Sequence, residues 1–365
     1  MNYIKSLTSI RGYCALLIVF THYHFFLQQI DITYIQKTLR YGTIGVDIFF
    51  ILSGFFLTYI YRNKLRESKN IKNELYRFFI YRIARIYPLY LITLILSTIL
   101  IYVGWTENKL LISDATNLTS SFLYNLFMIN GLGIYSENKD IFSINSPSWS
   151  LSIEMFIYVL FPIIIIIAYR IKSVSLNIVI IATIYYHLFM ITKDHGVISS
   201  GDEILYTLAF WKNDFLHGLE LFIIGVSTSN IYERNFLRKL PWDIINILII
   251  FVISLLIYLA IDMNYFIFVS PFLIYSLANI SPKTDKYFSN KFSFYIGEIS
   301  YSIYMWHIPY AVIVNHFFPL STADLWEWKW IPLITGLLVI SSISYHFIES
   351  PPRSWIKNKL STKTN

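Results

Sequence analysis

Ten stretches of this chain are apolar over about the 17–25 residues a helix needs to cross a hydrocarbon core. No other feature restricts the fold so far. They lie at 8–30, 43–61, 79–103, 150–169, 174–192, 214–232, 242–261, 264–281, 294–318 and 330–349. Runs of this length read as transmembrane helices, so the sequence predicts an all-α fold: a polytopic membrane helix bundle of about ten spans. Composition agrees. Only 14% of the residues are charged and 56% are hydrophobic, against about 25% charged in a soluble domain. Aromatics at 18% suit wide interfacial belts. The seventh and eighth spans meet in a short turn at Asp262-Met-Asn264. The run 119–130 is too short to span and reads as an interfacial or re-entrant helix.

Basic residues orient the bundle. With the N-terminus inside, seven of the 29 Lys and Arg fall on outer segments: Lys37, Arg40, Lys109, Lys139, Lys193, Lys212 and Lys329. The other 22 are inner, the asymmetry that the positive-inside rule requires. Both termini are therefore expected in the cytoplasm, and the net charge of +7 reads as topology rather than nucleic-acid binding. Lys5 and Arg11 precede the first run as in a signal peptide, but no A-x-A site follows, so that helix is expected to stay uncleaved. A single cysteine, Cys14, excludes an internal disulfide framework. No Gly/Ser linker or repeat divides the chain. One membrane domain over 1–365 is expected, with its core at 5–350 and a basic cytoplasmic tail at 351–365. The longest segment between spans, 104–149, is the natural place for substrate contacts.

Several polar residues interrupt the apolar runs. Arg11 and His22 are eleven residues apart, about three turns plus 20°, so they share a face about 16 Å apart along the axis. An imidazole that deep is a functional candidate or a satisfied histidine between helices; spacing alone favours neither. His24 points about 200° away from His22 and reads as lining or structural. Between runs two and three, the expected inner loop carries Arg62, Lys64, Arg66, Lys69, Lys72 and Arg77. Lys64 through Arg77 read best as topogenic charge touching anionic lipid. Arg82 and Arg85 share a helix face further into the run, where they form either a phosphate fork or more of that cluster. In Asn145-Ser-Pro-Ser-Trp-Ser-Leu-Ser-Ile-Glu154, proline suits a helix start and Glu154 falls in the outer half of the fourth span. Glu154 and His22 reach similar depth, which suits a carboxylate–imidazole base or two separate structural roles. Asp47, Glu298 and His307 are weaker signals, and His187, His217 and His316 have no partner visible in the sequence. No H-E-x-x-H spacing occurs, and no metal site is expected.

Six motifs in order carry a resemblance. They are Arg11-x10-His22, Gly45-Val-Asp-Ile-Phe-Phe-Ile-Leu-Ser-Gly54, Arg82-x-x-Arg85, Trp149-Ser-Leu-Ser-Ile-Glu154, Ser300-Tyr-Ser-Ile-Tyr-Met-Trp-His307 and Phe347-Ile-Glu-Ser-Pro351. Together they resemble the acyltransferase 3 family of integral membrane O-acyltransferases over essentially the full chain. The resemblance implies ten helices in a bacterial cytoplasmic membrane. It also implies a cytoplasmic acyl-CoA donor, usually acetyl-CoA, and transfer to a hydroxyl of a surface polysaccharide or its lipid-linked precursor. By the same resemblance His22 is the catalytic histidine, Arg11 the arginine paired with it, and Arg82 and Arg85 the pair associated with acyl-CoA. Glu154 is the acidic residue of the tryptophan motif. The extracytoplasmic esterase-like domain of some family members is not expected here, because the chain ends at Asn365.

On this reading the inner basic residues hold the phosphates of CoA, the thioester arm rises between helices, and His22 takes the proton of a sugar hydroxyl arriving from outside. A transporter or flippase of lipid-linked sugars would also use ten helices with buried charges. An enzyme of glycan polymerisation is a third reading. Neither gives a reason for Arg82, Arg85 and His22 together.

Overall fold

The computed structural model describes residues 4–26, 42, 44–68, 70–105, 118–132, 143–194, 214–259, 264–318 and 330–361. Every element among them is helical. In chain order they are α1 (Lys5–Phe26), α2 (Ile44–Glu67), α3 (Ile71–Tyr102), α4 (Leu118–Leu126), α5 (Ser148–Arg170), α6 (Val174–Asp194) and α7 (Asp214–Glu233). Then come α8 (Trp242–Tyr258), α9 (Asn264–Asn279), α10 (Pro282–Phe288), α11 (Lys291–Glu298), α12 (Ser300–Phe317), α13 (Trp330–Ser344), a π-helical turn at Tyr345–Glu349, and α14 (Ser350–Ser361). Over its described residues, each apolar run is largely helical. Four helical segments among the described residues are long and apolar enough to cross a membrane: Ile44–Glu67, Ile71–Tyr102, Ser148–Arg170 and Ile331–Leu360. Val174–Met190, Trp242–Leu256 and Phe266–Asn279 are apolar but shorter.

The boundaries correct the sequence in three places. The expected inner loop is largely helix, because α2 continues to Glu67 and α3 starts at Ile71. Asn70 makes that early start possible, its side chain accepting from the Asn73 N–H at 3.0 Å. The run 294–318 is not one helix. It breaks at Ile299, whose φ of −86° and ψ of 6° leave the helical range. The last run continues through the π turn into α14, so the expected tail is helical as far as Ser361. The turn at 260–263, and Lys37, Arg40, Lys109, Lys139, Lys212 and Lys329, lie outside the described residues.

The chain forms two compact units. The first comprises the described residues of 1–21, 32–67 and 159–298. Helices in lipid gain little from burying apolar surface against one another, so close backbone approach and buried polar contacts hold them. The α2–α7 crossing shows both. A Cβ at Gly54 would lie 2.0 Å from the Phe222 carbonyl oxygen, and one at Gly225 would lie 1.9 Å from that of Ile51. Further along α2, buried Arg62 meets Glu233 at 2.8 Å and Asn230 at 2.8 Å, and Asn230 also donates to Asn177. This arginine is therefore a structural tie between helices. The α1 segment is seated by Ser6, whose hydroxyl donates to the Leu277 carbonyl at 2.8 Å.

The second unit comprises the described residues of 22–31, 68–158 and 299–365. Helix α3 runs through it. The Tyr301 hydroxyl donates to the Ile86 carbonyl, and Tyr87 and Tyr90 donate to the carbonyls of Leu126 and Asn125 in the last turn of α4. Arg77 pairs with Glu74 and donates to the Leu360 carbonyl of α14, so it joins two helices rather than marking a loop. The π turn carries Glu349 inward, where it is buried and accepts from the Ser302 hydroxyl.

Candidate active site

The second unit holds four of the five residues singled out from the sequence. Helix α12 is buried on nearly every side from Ser300 to Val312. It presents His307, with 0% of its surface exposed, to the end of α1. There His307 Nε2 and His22 Nδ1 lie 3.1 Å apart, with ring centroids at 5.0 Å. His307 Nδ1 lies 2.6 Å from the carbonyl oxygen of Tyr304. The Tyr23 hydroxyl donates to the carbonyl of His307 itself at 2.9 Å, tying α1 to the same turn.

This chain of contacts sets the proton positions. A carbonyl oxygen only accepts, so His307 Nδ1 carries a hydrogen. In the neutral ring Nε2 then has the lone pair and accepts. The facing His22 Nδ1 must donate, which leaves the lone pair of a neutral His22 on Nε2. A histidine whose one nitrogen is fixed as a donor by a buried partner presents the other as a base. The sequence offered His307 only as a weaker signal and gave it no role. Its partner is 285 positions away, and helical periodicity relates residues only within one helix.

Glu154, Arg82 and Arg85 meet around another group. The Tyr158 hydroxyl, one turn along α5, donates to Glu154. The Arg82 guanidinium stands over the rings of Phe78 and Tyr158, at 5.6 and 5.5 Å from their centroids. The charges of Glu154, Arg82 and Arg85 all act on the buried Tyr158 phenol. Both arginines lie on α3 three residues apart, as the spacing required. Two cations and one carboxylate leave a net positive charge beside an aromatic wall, a combination that suits an anionic ligand.

Between these groups and the start of α5, polar residues seat the segment 143–150 on α12. The Tyr304 hydroxyl donates to the Pro147 carbonyl at 2.9 Å and lies 2.8 Å from Ser150 Oγ. Pro309 has no N–H to offer the carbonyl four residues before it, that of Met305. Asn145 Nδ2 donates to that oxygen at 3.0 Å. The same device recurs in the first unit, where Pro271 releases the Ile267 carbonyl and the Tyr185 hydroxyl takes it.

Arg11 is half-buried on α1 within the first unit. The side chain of His24 lies outside the described residues. Three histidines without partners in the sequence have them in the structure. His217 pairs with Asp47 at 2.9 Å, His187 with Glu220 at 2.6 Å, and His316 stacks on Trp105 with centroids 4.0 Å apart.

Comparison with known proteins follows the same lines. The family model described as "Acyltransferase domain", that of the acyltransferase 3 family, matches residues 4–345. Among curated proteins, the O-acetyltransferase OatA of Staphylococcus aureus strain NCTC 8325 is 26% identical over 373 residues. The protein of the same name from strain COL matches equally. Each alignment covers 96% of this chain and 57% of the relative, so the chain spans little more than half their length. No solved structure matches.

Proposed function

Since this chain belongs to the acyltransferase 3 family, we propose that it transfers an acyl group, most simply acetyl, from acyl-CoA to a carbohydrate hydroxyl. The acceptor is a surface polysaccharide or its lipid-linked precursor. The His22–His307 pair carries the proposal, because its hydrogen-bond chain leaves His22 Nε2 as the basic nitrogen. His22 Nε2 takes the proton of the acceptor hydroxyl as that oxygen attacks the thioester carbonyl. The carbon–sulfur bond breaks, CoA leaves as the thiolate, and the imidazolium returns the proton to sulfur. His307 keeps its own proton on the Tyr304 carbonyl throughout and stabilises the charged His22 through its lone pair.

Arg82 and Arg85 hold the phosphates of the donor, and Glu154, tied to Tyr158, orients the guanidiniums. Arg11 is assigned to the donor on the motif it shares with the family. The 22 inner and seven outer basic residues support ten spans with both termini in the cytoplasm. That orientation supports a bacterial cytoplasmic membrane with donor inside and acceptor outside. The relatives' name, O-acetyltransferase, supports acetyl as the group moved.

The test is direct. Purified protein in detergent is given acetyl-CoA labelled in the acetyl group, with and without glycan from the host surface. Release of free CoA together with base-labile label on the glycan is the expected result. Glycan turnover without CoA release, or neither, overturns the reading.

A further inference from the structure

We infer that one end of the first unit, the loop 234–241 together with α10, is a docking surface for anionic phospholipid. Headgroup phosphates meet its basic side chains, and the apolar side chains of the loop enter the acyl region. The surface shares no residue with the reaction proposed above.

The loop holds a conformation that its residues resist. It lies past the apolar run 214–232 and before the run that starts at 242. Asn235 and Leu237 have φ of 53° and 55°, in the left-handed region. Asparagine visits that region readily and leucine does not. Two buried aromatic side chains enforce it. Trp242 Nε1 donates to the Leu237 carbonyl at 3.0 Å, and the Tyr275 hydroxyl donates to the Phe236 carbonyl. The outcome is display: Phe236, Leu237 and Leu240 are 38%, 48% and 41% exposed. A single exposed leucine needs no explanation. Three apolar side chains set outward by a strained, doubly tied backbone do.

The charges beside them are left uncompensated. Asp243, next to Trp242, accepts from the Ser281 N–H at 2.9 Å. The first turn of α8 therefore holds the loop through one residue and the start of α10 through the next. The carboxylates nearest in sequence are all engaged within the protein. Glu233 pairs with Arg62 at 2.8 Å, and Asp243 takes Ser281. Asp285 accepts from the Ser6 N–H at 3.1 Å and the Ser289 hydroxyl at 2.8 Å. The exposed cations Arg238, Lys239, Lys283 and Lys286 form no salt bridge among the described residues. Arg238 donates to Asn235 Oδ1 at 2.6 Å, a neutral amide that fixes the side chain and leaves its charge.

Uncompensated cations beside displayed apolar side chains select a partner with both an anionic group and hydrocarbon. An anionic phospholipid has both. Acetyl-CoA is anionic but has no hydrocarbon chain for the loop to meet. On the topology given under Proposed function this end faces the cytoplasm, whose leaflet carries the anionic lipid.

The experiment uses the full chain in detergent. Palmitoyl-oleoyl phosphatidylglycerol or phosphatidylcholine is added, and retained lipid is measured by native mass spectrometry. The wild type should favour phosphatidylglycerol by about fivefold or more, the worth of one cation at a membrane surface. Arg238→Gln combined with Lys283→Gln should retain the two lipids alike. Lys357→Gln removes one charge from α14, in the second unit, and should keep the preference. Leu237→Asn suits the left-handed backbone but lacks the apolar side chain. It should weaken retention of both lipids by about tenfold, with a melting temperature unchanged or higher.

Equal retention of the two lipids by the wild type would overturn the inference. So would loss of the preference in Lys357→Gln, which would mean diffuse charge rather than a surface with its own cations. Unchanged lipid retention by Leu237→Asn would mean that the loop meets no acyl chain, and the inference fails. Displacement of phosphatidylglycerol by acetyl-CoA would assign the cations to the donor instead.

Discussion

Replacing His307 by Leu tests whether the second histidine sets the tautomer of the first. The substitution removes both ring contacts, the 2.6 Å bond to the Tyr304 carbonyl and the 3.1 Å bond to His22. Two magnitudes separate the explanations. If His307 only steadies His22, the loss is one hydrogen bond of about 0.5–1.5 kcal/mol, or about 2–13-fold in rate. If it fixes the proton on His22 Nδ1, the variant ring is free to carry its hydrogen on Nε2, where the base must be. A wrong tautomer of this kind costs up to about 10⁴ in the serine triad. The expected outcome is a fall in kcat of about 10²–10⁴, with the KM for acetyl-CoA unchanged. His307→Gln should stay within about tenfold of wild type, because its amide oxygen can accept from His22 Nδ1. Labelled-acetyl transfer at saturating donor measures the rates, and thermal unfolding in the same detergent establishes that the variants are folded. A Leu variant within tenfold of wild type, or a Gln variant as poor as Leu, would refute the tautomer argument.

Further outcomes follow from the same structure. Gly225→Ala puts a methyl where the Ile51 carbonyl oxygen stands 1.9 Å away, so α2 and α7 must part. Overpacking of this kind costs about 1–3 kcal/mol, and the melting temperature in detergent should fall by several degrees. Arg85→Ala should raise the KM for acetyl-CoA, and Arg85→Lys should restore it only in part, since an ammonium cannot make a bidentate contact; unchanged donor affinity would reduce the pair to topogenic charge. Reporter fusions at Asn365 and within 104–149 should report opposite compartments, and agreement between them would show that the span count is wrong.

The helices were legible in the sequence because their apolar runs have a length only a bilayer demands. Their ends were less so. Asn70 caps α3 nine residues before its apolar run begins, and Ile299 breaks a run whose composition is continuous. The site was legible in its parts. Depth and face on one helix marked His22, and i, i+3 spacing marked Arg82 and Arg85. What periodicity does not contain is which helices adjoin. His22 finds His307, His217 finds Asp47 and His187 finds Glu220, each on a different helix. His307 also lies in a helix buried all round, so no amphipathic stripe set its face apart. Asn145 left one sequence signal, a proline four residues after an unpaired carbonyl, but its meaning depends on a contact across 160 positions.

The most direct test of the central claim is the rate of acetyl transfer by His22→Gln. Glutamine keeps a side chain of similar reach that hydrogen-bonds His307, but it has no basic nitrogen. The assay is labelled-acetyl transfer by purified protein at saturating acetyl-CoA, with His24→Ala as the neighbouring control. A general base contributes about 10²–10⁴-fold, so the account predicts a loss of that size for His22→Gln, an unchanged melting temperature, and near-normal transfer by His24→Ala. Near-normal transfer by His22→Gln would contradict it.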